Sequence, residues 1–525
     1  MDRRHFLRTA SIATIGGMSV RGFSSPLLRA LGSRDLGDRV LVVVQLYGGN
    51  DGLNTVIPLD QYGILSSVRP HVLIPENQVL PLSGLSGTGL HPALDGLQDL
   101  WNDGKLSIVQ GVSYPEPNYS HFRATDIWET GADADQILNS GWAGRYLNLE
   151  YPNYPAGYPN DDMPDPLAIR IGGPVGPSLQ HLGTSMGTAI VNTDDPLDLT
   201  GNIYNDPLST LCSGGKLGLV RTVQRQTDQY GDVINAAAQM GCAHGPYPQG
   251  SEPGAQLAQA LRIVAQLICG GLKTRIYWVS LNGFDTHAEQ VQENDHTQGM
   301  HANLLQGLGD AIHAFQNDLA GLGLEDRVLG MTFSEFGRRI ASNASIGTDH
   351  GSALPMFLFG SKVIPGMLGT NPDIPVDTTY QTNLAMQYDF RSVYASVLTD
   401  WFCLQPGEVD QVLLDTYQPL ALVDPEGCMS IGVHELNQRA GDDLLSVYPN
   451  PFIDRVTLDY RTHGGRVLLQ VYNEGGQLMS TLMNAPATPG RHTLSADLGH
   501  LPAGVYYCRL QNESRQQVRN LVKVR

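Results

Sequence analysis

Short β-branched runs that stop at glycine, acid and histidine recur along most of the chain. They occupy residues 40–51 (VLVVVQLYGGND), 106–121 (LSIVQGVSYPEPNYSH), 276–287 (IYWVSLNGFDTH) and 331–351 (MTFSEFGRRIASNASIGTDHG). None alternates, and a short unbroken apolar run bounded by turn residues predicts a strand covered on both faces, as in a parallel sheet. Residues 257–272 and 300–322 repeat apolar positions at helical spacing, the second just before the strand at 328–332. Strand, helix, strand in that order implies a right-handed crossover, which puts 276–281 and 328–332 side by side in one parallel sheet. Residues 354–359 add another strand. Residues 151–212, rich in Pro, Gly, Asn and Asp, read as a long insertion near the same edge. The polar groups collect at the C-terminal ends of the strands, where open α/β sheets bind their ligands.

From about residue 444 the pattern becomes alternating: LLSVYPNPF, RVTLDYRT, RVLLQVYNEGGQLMSTLM, LPAGVYYCRLQ and LVKVR, with turns at Gly465, Gly475-Gly476 and Asn512-Glu513. That is the pattern of a small all-β sandwich. The expected fold class is therefore α/β, a mostly parallel sheet flanked by helices over residues 37–423, then a linker at 424–443 and the sandwich at 444–525. At the other end, Asp2-Arg3-Arg4-His5-Phe6-Leu7-Arg8 is close to the twin-arginine export pattern, with a weakly apolar segment at 9–20 behind it. Residues 1–36 are read as that signal segment, the alternative being a basic amphipathic first helix.

Composition narrows the classes. A chain of 525 residues, 41% hydrophobic and 16% charged, supports a large core and more than one domain. With 33 basic against 52 acidic residues the formal charge is -19, which argues against nucleic acid as a partner. No apolar stretch reaches the roughly 18 residues that span a bilayer. The six cysteines lack zinc-type spacing. Cys212 with Cys242 and Cys403 with Cys428 are candidate bridges, or else the thiols are buried and free, Cys269 in its apolar helix above all.

The candidate chemistry lies at the strand ends. Asp51, Asp285, His287, Glu335, Asp349 and His350 are carboxylates and imidazoles, the donors that suit divalent metals. Each has a plainer reading. Asp51 holds a turn, Glu335 pairs with Arg338 or Arg339 on a following helical turn, and Asp349 caps a turn while His350 alone binds. Ser120 is a nucleophile at a helix start that faces anions, or a simple N-cap. His121 is a ligand or an orienting base. Arg338 is placed to grip a phosphate or sulfate oxygen in bidentate fashion. His296 and His301 read as solvated helix residues.

Two resemblances add to this reading. Tyr448-Pro449-Asn450-Pro451-Phe452, Asn473-Glu474-Gly475-Gly476 and Leu501-Pro502-Ala503-Gly504-Val505-Tyr506-Tyr507 resemble the C-terminal sorting domain of the type IX secretion system, with a carbohydrate-binding or fibronectin-like module as the alternative. The resemblance implies a Gram-negative source, partners in the export and type IX machinery, and passage through the periplasm to the cell surface or medium.

In the core, Gly48-Gly49-Asn50-Asp51-Gly52, Ser120-His121-Phe122, Gly283-Phe284-Asp285-Thr286-His287, Ser334-Glu335-Phe336-Gly337-Arg338 and Gly347-Thr348-Asp349-His350-Gly351 together resemble an uncharacterised family of twin-arginine-exported bacterial proteins. That family is similar in fold to the alkaline phosphatase and sulfatase superfamily. The superfamily implies one or two divalent ions, zinc, manganese or calcium. Asp51 would be the first ligand, Asp285 and His287 the middle group, Glu335 the acid of an Asp-His pair, His350 the last ligand and Ser120 the nucleophile. The pattern departs where Asp285 and His287 are spaced Asp-x-His and where Phe336 replaces the pair's imidazole, which puts one ion in doubt. No Cys-x-Pro-x-Arg sequence is present, which disfavours sulfatase chemistry. The expected function is an exported metal-dependent hydrolase acting on a phosphate or other ester, small-molecule or glycan. The alternative is a cell-surface binding protein on the same scaffold without catalysis.

Overall fold

The run VLVVVQLY forms β1 (Val40–Tyr47), buried at every residue but the last. After it come α1 (Asp95–Asn102), β2 (Leu106–Ser113), α2 (His121–Thr130) and α3 (Trp142–Glu150). The Pro- and Gly-rich insertion supplies β3 (Ala168–Ile171) and β4 (Thr188–Ile190). Then follow α4 (Pro253–Cys269), β5 (Ile276–Asn282), α5 (Met300–Gly321) and β6 (Val328–Phe333). A hairpin, β7 (Arg338–Ser342) and β8 (Thr348–His350), leads into β9 (Leu354–Phe359), β10 (Gly366–Leu368), β11 (Tyr388–Asp389) and α6 (Phe390–Ser396). This computed structural model describes residues 38–191, 230–242, 244–425 and 428, and then 443–448, 452–462, 465–473, 477–488, 490–511 and 516–524. The expected signal segment, residues 1–36, lies outside the described residues.

Among the described residues the large sheet has nine strands in the order β10-β2-β9-β6-β1-β5-β3-β4, with β11 also on β2. All pairings are parallel except those of β9, which runs against both β6 and β2. The expected neighbours 276–281 and 328–332 do not pair with each other. β1 lies between them, with Val42 in register with Tyr277 on one side and Gly330 on the other. The most continuously apolar run takes the position where both faces and both edges are covered, which is where burial gains most.

Alternation along β1 divides the core in two. Val40, Val42, Val44 and Leu46 face α4 and α5, where Leu257, Leu261, Leu305 and Leu308 are fully buried or nearly so. Leu41 and Val43 face the other way, among Trp128, Trp142, Tyr146, Phe390 and Tyr394 of α2, α3 and α6. Each such aliphatic side chain contributes roughly 1.5–3 kcal/mol on full burial. The two long helices cross closely because a Cβ on Gly254 would lie 2.4 Å from the Cα of Gly307.

Cys242 pairs with Cys269, not with Cys212, and Cys403 pairs with Cys428. Cys269 is the last residue of α4, and the adjacent Gly270 packs on the backbone of Ala237 in the helical segment 230–238, which brings Cys242 within reach. Cys212 lies outside the described residues.

The chain divides into two compact units, Met1–Cys428 and Met429–Arg525. The second is a sandwich of two antiparallel sheets. One contains β12 (Asp443–Tyr448), β13 (Arg455–Thr462) and β16 (Gly490–Asp497); the other contains β14 (Gly465–Asn473), β15 (Leu478–Ala487), β17 (Gly504–Gln511) and β18 (Gln516–Lys523). Alternate residues point inward: Val456, Leu458 and Tyr460 from one sheet meet Val467, Leu469, Val471, Tyr506, Cys508 and Leu510 from the other.

Candidate metal centre

Four chain segments meet at the C-terminal edge of the large sheet. After β1 the backbone turns through Gly48 and Gly49, both at positive φ (126° and 83°). A Cβ at Gly48 would sit 2.3 Å from the backbone nitrogen of Asp285, so the close approach of the two loops requires glycine there. After β5, Gly283 leads into Asp285 and His287. After β6 come Ser334 and Glu335, and the β7–β8 hairpin returns the chain to Asp349 and His350. The start of α2 adds His121.

Arg338 ties these loops together from below. Its guanidinium donates to the carbonyls of Gly48, Gly49 (2.7 Å), Phe284 (2.9 Å) and Thr348 (2.8 Å), and to Asp285 Oδ1 (2.8 Å). Its side chain is 0% exposed. Arg338 therefore has no free surface for an anion and acts as the bolt that positions Asp285.

Three imidazoles are fixed in one sense. His121 Nδ1 donates to Glu335 Oε1 (2.7 Å), His350 Nδ1 to the carbonyl of Tyr119 (2.9 Å) and His287 Nδ1 to Asp349 Oδ1 (3.3 Å). A carbonyl accepts only, so His350 carries its proton on Nδ1 and presents the Nε2 lone pair to its neighbours. That nitrogen lies 2.9 Å from His287 Nε2 and 3.1 Å from Asp285 Oδ1, and His287 Nε2 lies 3.1 Å from the same oxygen. His121 Nε2 is 3.4 Å from Asp285 Oδ2. His121, Asp285 and His350 each offer an atom within 4.8 Å of the others. Electron-rich atoms this close repel unless a cation or a proton lies among them. Edges near 3 Å are what ligands about 2.0–2.2 Å from a single ion make. The donor set is therefore compatible with a divalent cation, and the Nδ1 partners are the supports that metal-binding histidines use.

The electrostatics match. Burial alone would raise the Asp285 carboxyl, but Arg338, His350 and His287 outweigh it and hold it at about 2. The hydrogen bond from His121 to Glu335 pulls that imidazole above its ordinary value despite burial. Burial holds His350 below the ordinary value, which keeps it neutral and ligand-competent.

Other expected residues lie apart from this set. Asp51 is 1% exposed and paired with Arg69, and it also accepts from Gln290 (2.6 Å). Burial pushes its carboxyl up, and Arg69, His301, Gln290 and Arg338 together bring it below the usual range. Glu335 is fully buried and bonds His121 and the Gly48 amide (2.9 Å). The chain runs on from Glu335 into the β7 strand instead of a helical turn, so the expected pairing with Arg338 or Arg339 does not form. Asp349 accepts from Asn343 (3.1 Å) and His287. Ser120 is exposed at the N-cap position of α2, yet its hydroxyl makes no cap bond. His301, read as solvated, is fully buried against Asn50 (2.9 Å), because its face of α5 packs under the β1 loop. Arg69, Gln290 and Tyr119 have no local signal in the sequence, since each acts on a partner far along the chain.

With this geometry in view, the family matches are informative. Residues 221–412 match a family described as protein of unknown function, DUF1501. The chain carries a DUF1501 domain. All the site residues from Asp285 to His350 fall within the DUF1501 match, whereas Asp51, Ser120 and His121 precede it. Residues 446–524 match the secretion system C-terminal sorting domain, which identifies a secreted or cell-surface protein. Among the described residues no helix is long and apolar enough to cross a membrane.

No curated protein matches the chain. Among solved structures, a Bacteroides thetaiotaomicron protein from a glycosaminoglycan-metabolism locus is 11% identical, covering 85% of this chain and 89% of that one with a TM-score of 0.35. A Vibrio parahaemolyticus protein of the alkaline phosphatase superfamily is 9% identical, covering 93% and 82% with a TM-score of 0.32. PorZ, a surface component of the type IX secretion system of Porphyromonas gingivalis, is 17% identical over 15% of this chain and 11% of its own length, with a TM-score of 0.12. Likeness at these scores carries no weight for function, which has to come from the site.

Proposed function

We propose that the protein is a secreted, divalent-metal-dependent hydrolase of phosphate or other anionic esters, with its metal held by His121, Asp285, His287 and His350 in the unit spanning residues 37–423. The observation that carries this is the common orientation of three imidazoles, each held at Nδ1 so that Nε2 turns toward the Asp285 carboxylate. A set dominated by imidazole nitrogen suits zinc better than manganese or calcium, which prefer oxygen ligands. Such a cation supplies Lewis acidity toward a phosphoryl or acyl oxygen. The chain's own groups do the rest. Glu335 and Arg338 hold His121 and Asp285 in place from the buried side. Ser120, with a hydroxyl not spent on capping α2, is the attacking group in this reading, and Asp51 acts as a structural anion and not as a ligand.

A second reading, a surface binder without turnover, is favoured by one observation: Arg338 and Asp51, the residues expected to handle anion and metal, are both consumed internally. Full-length protein loaded with zinc or manganese and assayed on p-nitrophenyl phosphate, a bis-p-nitrophenyl phosphodiester and p-nitrophenyl sulfate separates the two. Turnover that disappears in His350→Ala supports the hydrolase. Bound metal with no turnover on any of these esters supports the binder.

A further inference from the structure

Around the candidate centre nearly every polar group has a partner inside the protein. His121, His287 and His350 are held at Nδ1, Glu335 by His121 and Gly48, Ser334 by the Leu46 carbonyl (2.6 Å), and Arg338 by the loop carbonyls. Tyr47 differs. It is the last residue of β1 and stands between the two loops that bring in Asp285 and Glu335, because β5 and β6 flank β1. Its carbonyl is used, accepting from Gly283 (3.2 Å) and Phe284 (3.1 Å), which fixes the backbone. Its side chain is partly exposed, and its hydroxyl has no hydrogen-bond partner among the described residues.

Strand alternation decides which face carries that side chain. Leu41 and Val43 of β1 face the core beneath α2, and alternation carries Gln45 and Tyr47 to the same face. Along that face the strand changes from apolar to polar: Gln45 Oε1 accepts from Trp278 and Ser280 (3.3 Å each), and Tyr47 lies one step further out, at the rim. The Tyr47 ring sits 5.8 Å from the ring of His121, at an interplanar angle of 36°. A tyrosine phenol, with an ordinary pKa of about 10, is a hydrogen-bond donor near neutral pH. A phenol hydroxyl at the rim with no partner of its own among the described residues is a donor available to a ligand.

We propose that Tyr47 is a substrate-contacting residue whose hydroxyl donates a hydrogen bond to an oxygen of the anionic group bound at the His121–Asp285–His287–His350 centre. The proposal rests on the metal reading above. It assigns the anion contact to a neutral phenol, where the sequence pointed to a guanidinium.

The test uses full-length protein loaded with zinc, inorganic phosphate as the probe, and titration calorimetry on wild type and Tyr47→Phe, with metal content and Tm measured on both. Tyr47→Phe removes one oxygen and leaves the ring on His121, so metal content and Tm should not change. Phosphate affinity should fall about tenfold, the effect of losing one hydrogen bond to a charged group. Equal phosphate affinity in the two proteins overturns the role of Tyr47 while leaving the metal centre intact. Metal-loaded wild type that binds no phosphate at millimolar concentration also overturns it. A wild type that takes up no zinc overturns the metal reading itself.

Discussion

Asp51 and Asp285 are twins in the sequence and opposites in the structure. Each follows a buried strand and a glycine turn at the same sheet edge. Asp51 is 1% exposed and neutralised by Arg69, eighteen residues on, with Gln290 on the same oxygen. Asp285 has a side chain 47% exposed and is ringed by three imidazoles. A carboxylate at a strand end is thus made structural or ligating by what the rest of the fold places against it. A buried cation fixes the first; imidazoles with their Nδ1 atoms already occupied make the second available.

The largest expected effect breaks this pair apart. Asp51→Ala leaves the Arg69 guanidinium, 0% exposed, without its counter-charge, and should destabilise the first unit by about 3–5 kcal/mol in urea unfolding. Asp285→Ala also takes a counter-charge from a guanidinium that is 0% exposed, but the lost carboxylate is 47% exposed and Arg338 keeps the Gly48, Gly49, Phe284 and Thr348 carbonyls, so it should destabilise less than Asp51→Ala, yet it should abolish metal uptake. Equal destabilisation by the two variants would erase the distinction.

Next in size is the response to metal. At a free concentration about a hundredfold above its Kd, a bound ion stabilises the native state by about 2.7 kcal/mol. Chelator should therefore lower the Tm of wild type and leave that of His350→Ala unchanged. Glu335→Gln should behave in between: the amide oxygen still accepts from His121 and Gly48, but the negative charge behind the imidazole is gone. Metal affinity should fall about ten- to a hundredfold by competition titration, with the Tm of the metal-free protein unchanged.

How far the sequence can be read depends on range. Strand ends are legible because runs such as 40–47 and 276–282 carry their own burial signal, and the residues at the candidate centre lie just beyond them. Partners are not legible. Nothing near Asp51 points to Arg69, nothing near His350 points to the Tyr119 carbonyl, and the charged spacing after Glu335 mimics a helix start where the chain forms a strand. Cys269 reads as a core thiol because its helix is apolar, and its position at the helix end, which decides the bridge to Cys242, depends on where the segment 230–242 packs. The order β6-β1-β5 likewise reflects competition among strands for the centre of the sheet, which no single run encodes.

The pH response sharpens the Asp51 side. Beside Asp51, burial holds His91 at about 3 and His301 at about 4, well below the ordinary imidazole value near 6.5. The unfolded chain binds these protons first, so stability is full above pH 6.5 and declines as pH falls toward 4. Each histidine contributes a slope of up to about 1.4 kcal/mol per pH unit. Replacing His301 with Gln should flatten the decline in a Tm-versus-pH series, and an unchanged slope would show that His301 is not held neutral.

Whether Asp285 ligates while Asp51 only braces the fold is decided by the metal content of full-length protein purified without chelator, measured by mass spectrometry for wild type, Asp285→Ala and Asp51→Asn. Stoichiometric zinc or manganese is expected in wild type and in Asp51→Asn, and none in Asp285→Ala. Metal-free wild type, or metal lost with Asp51 and kept without Asp285, would contradict the assignment.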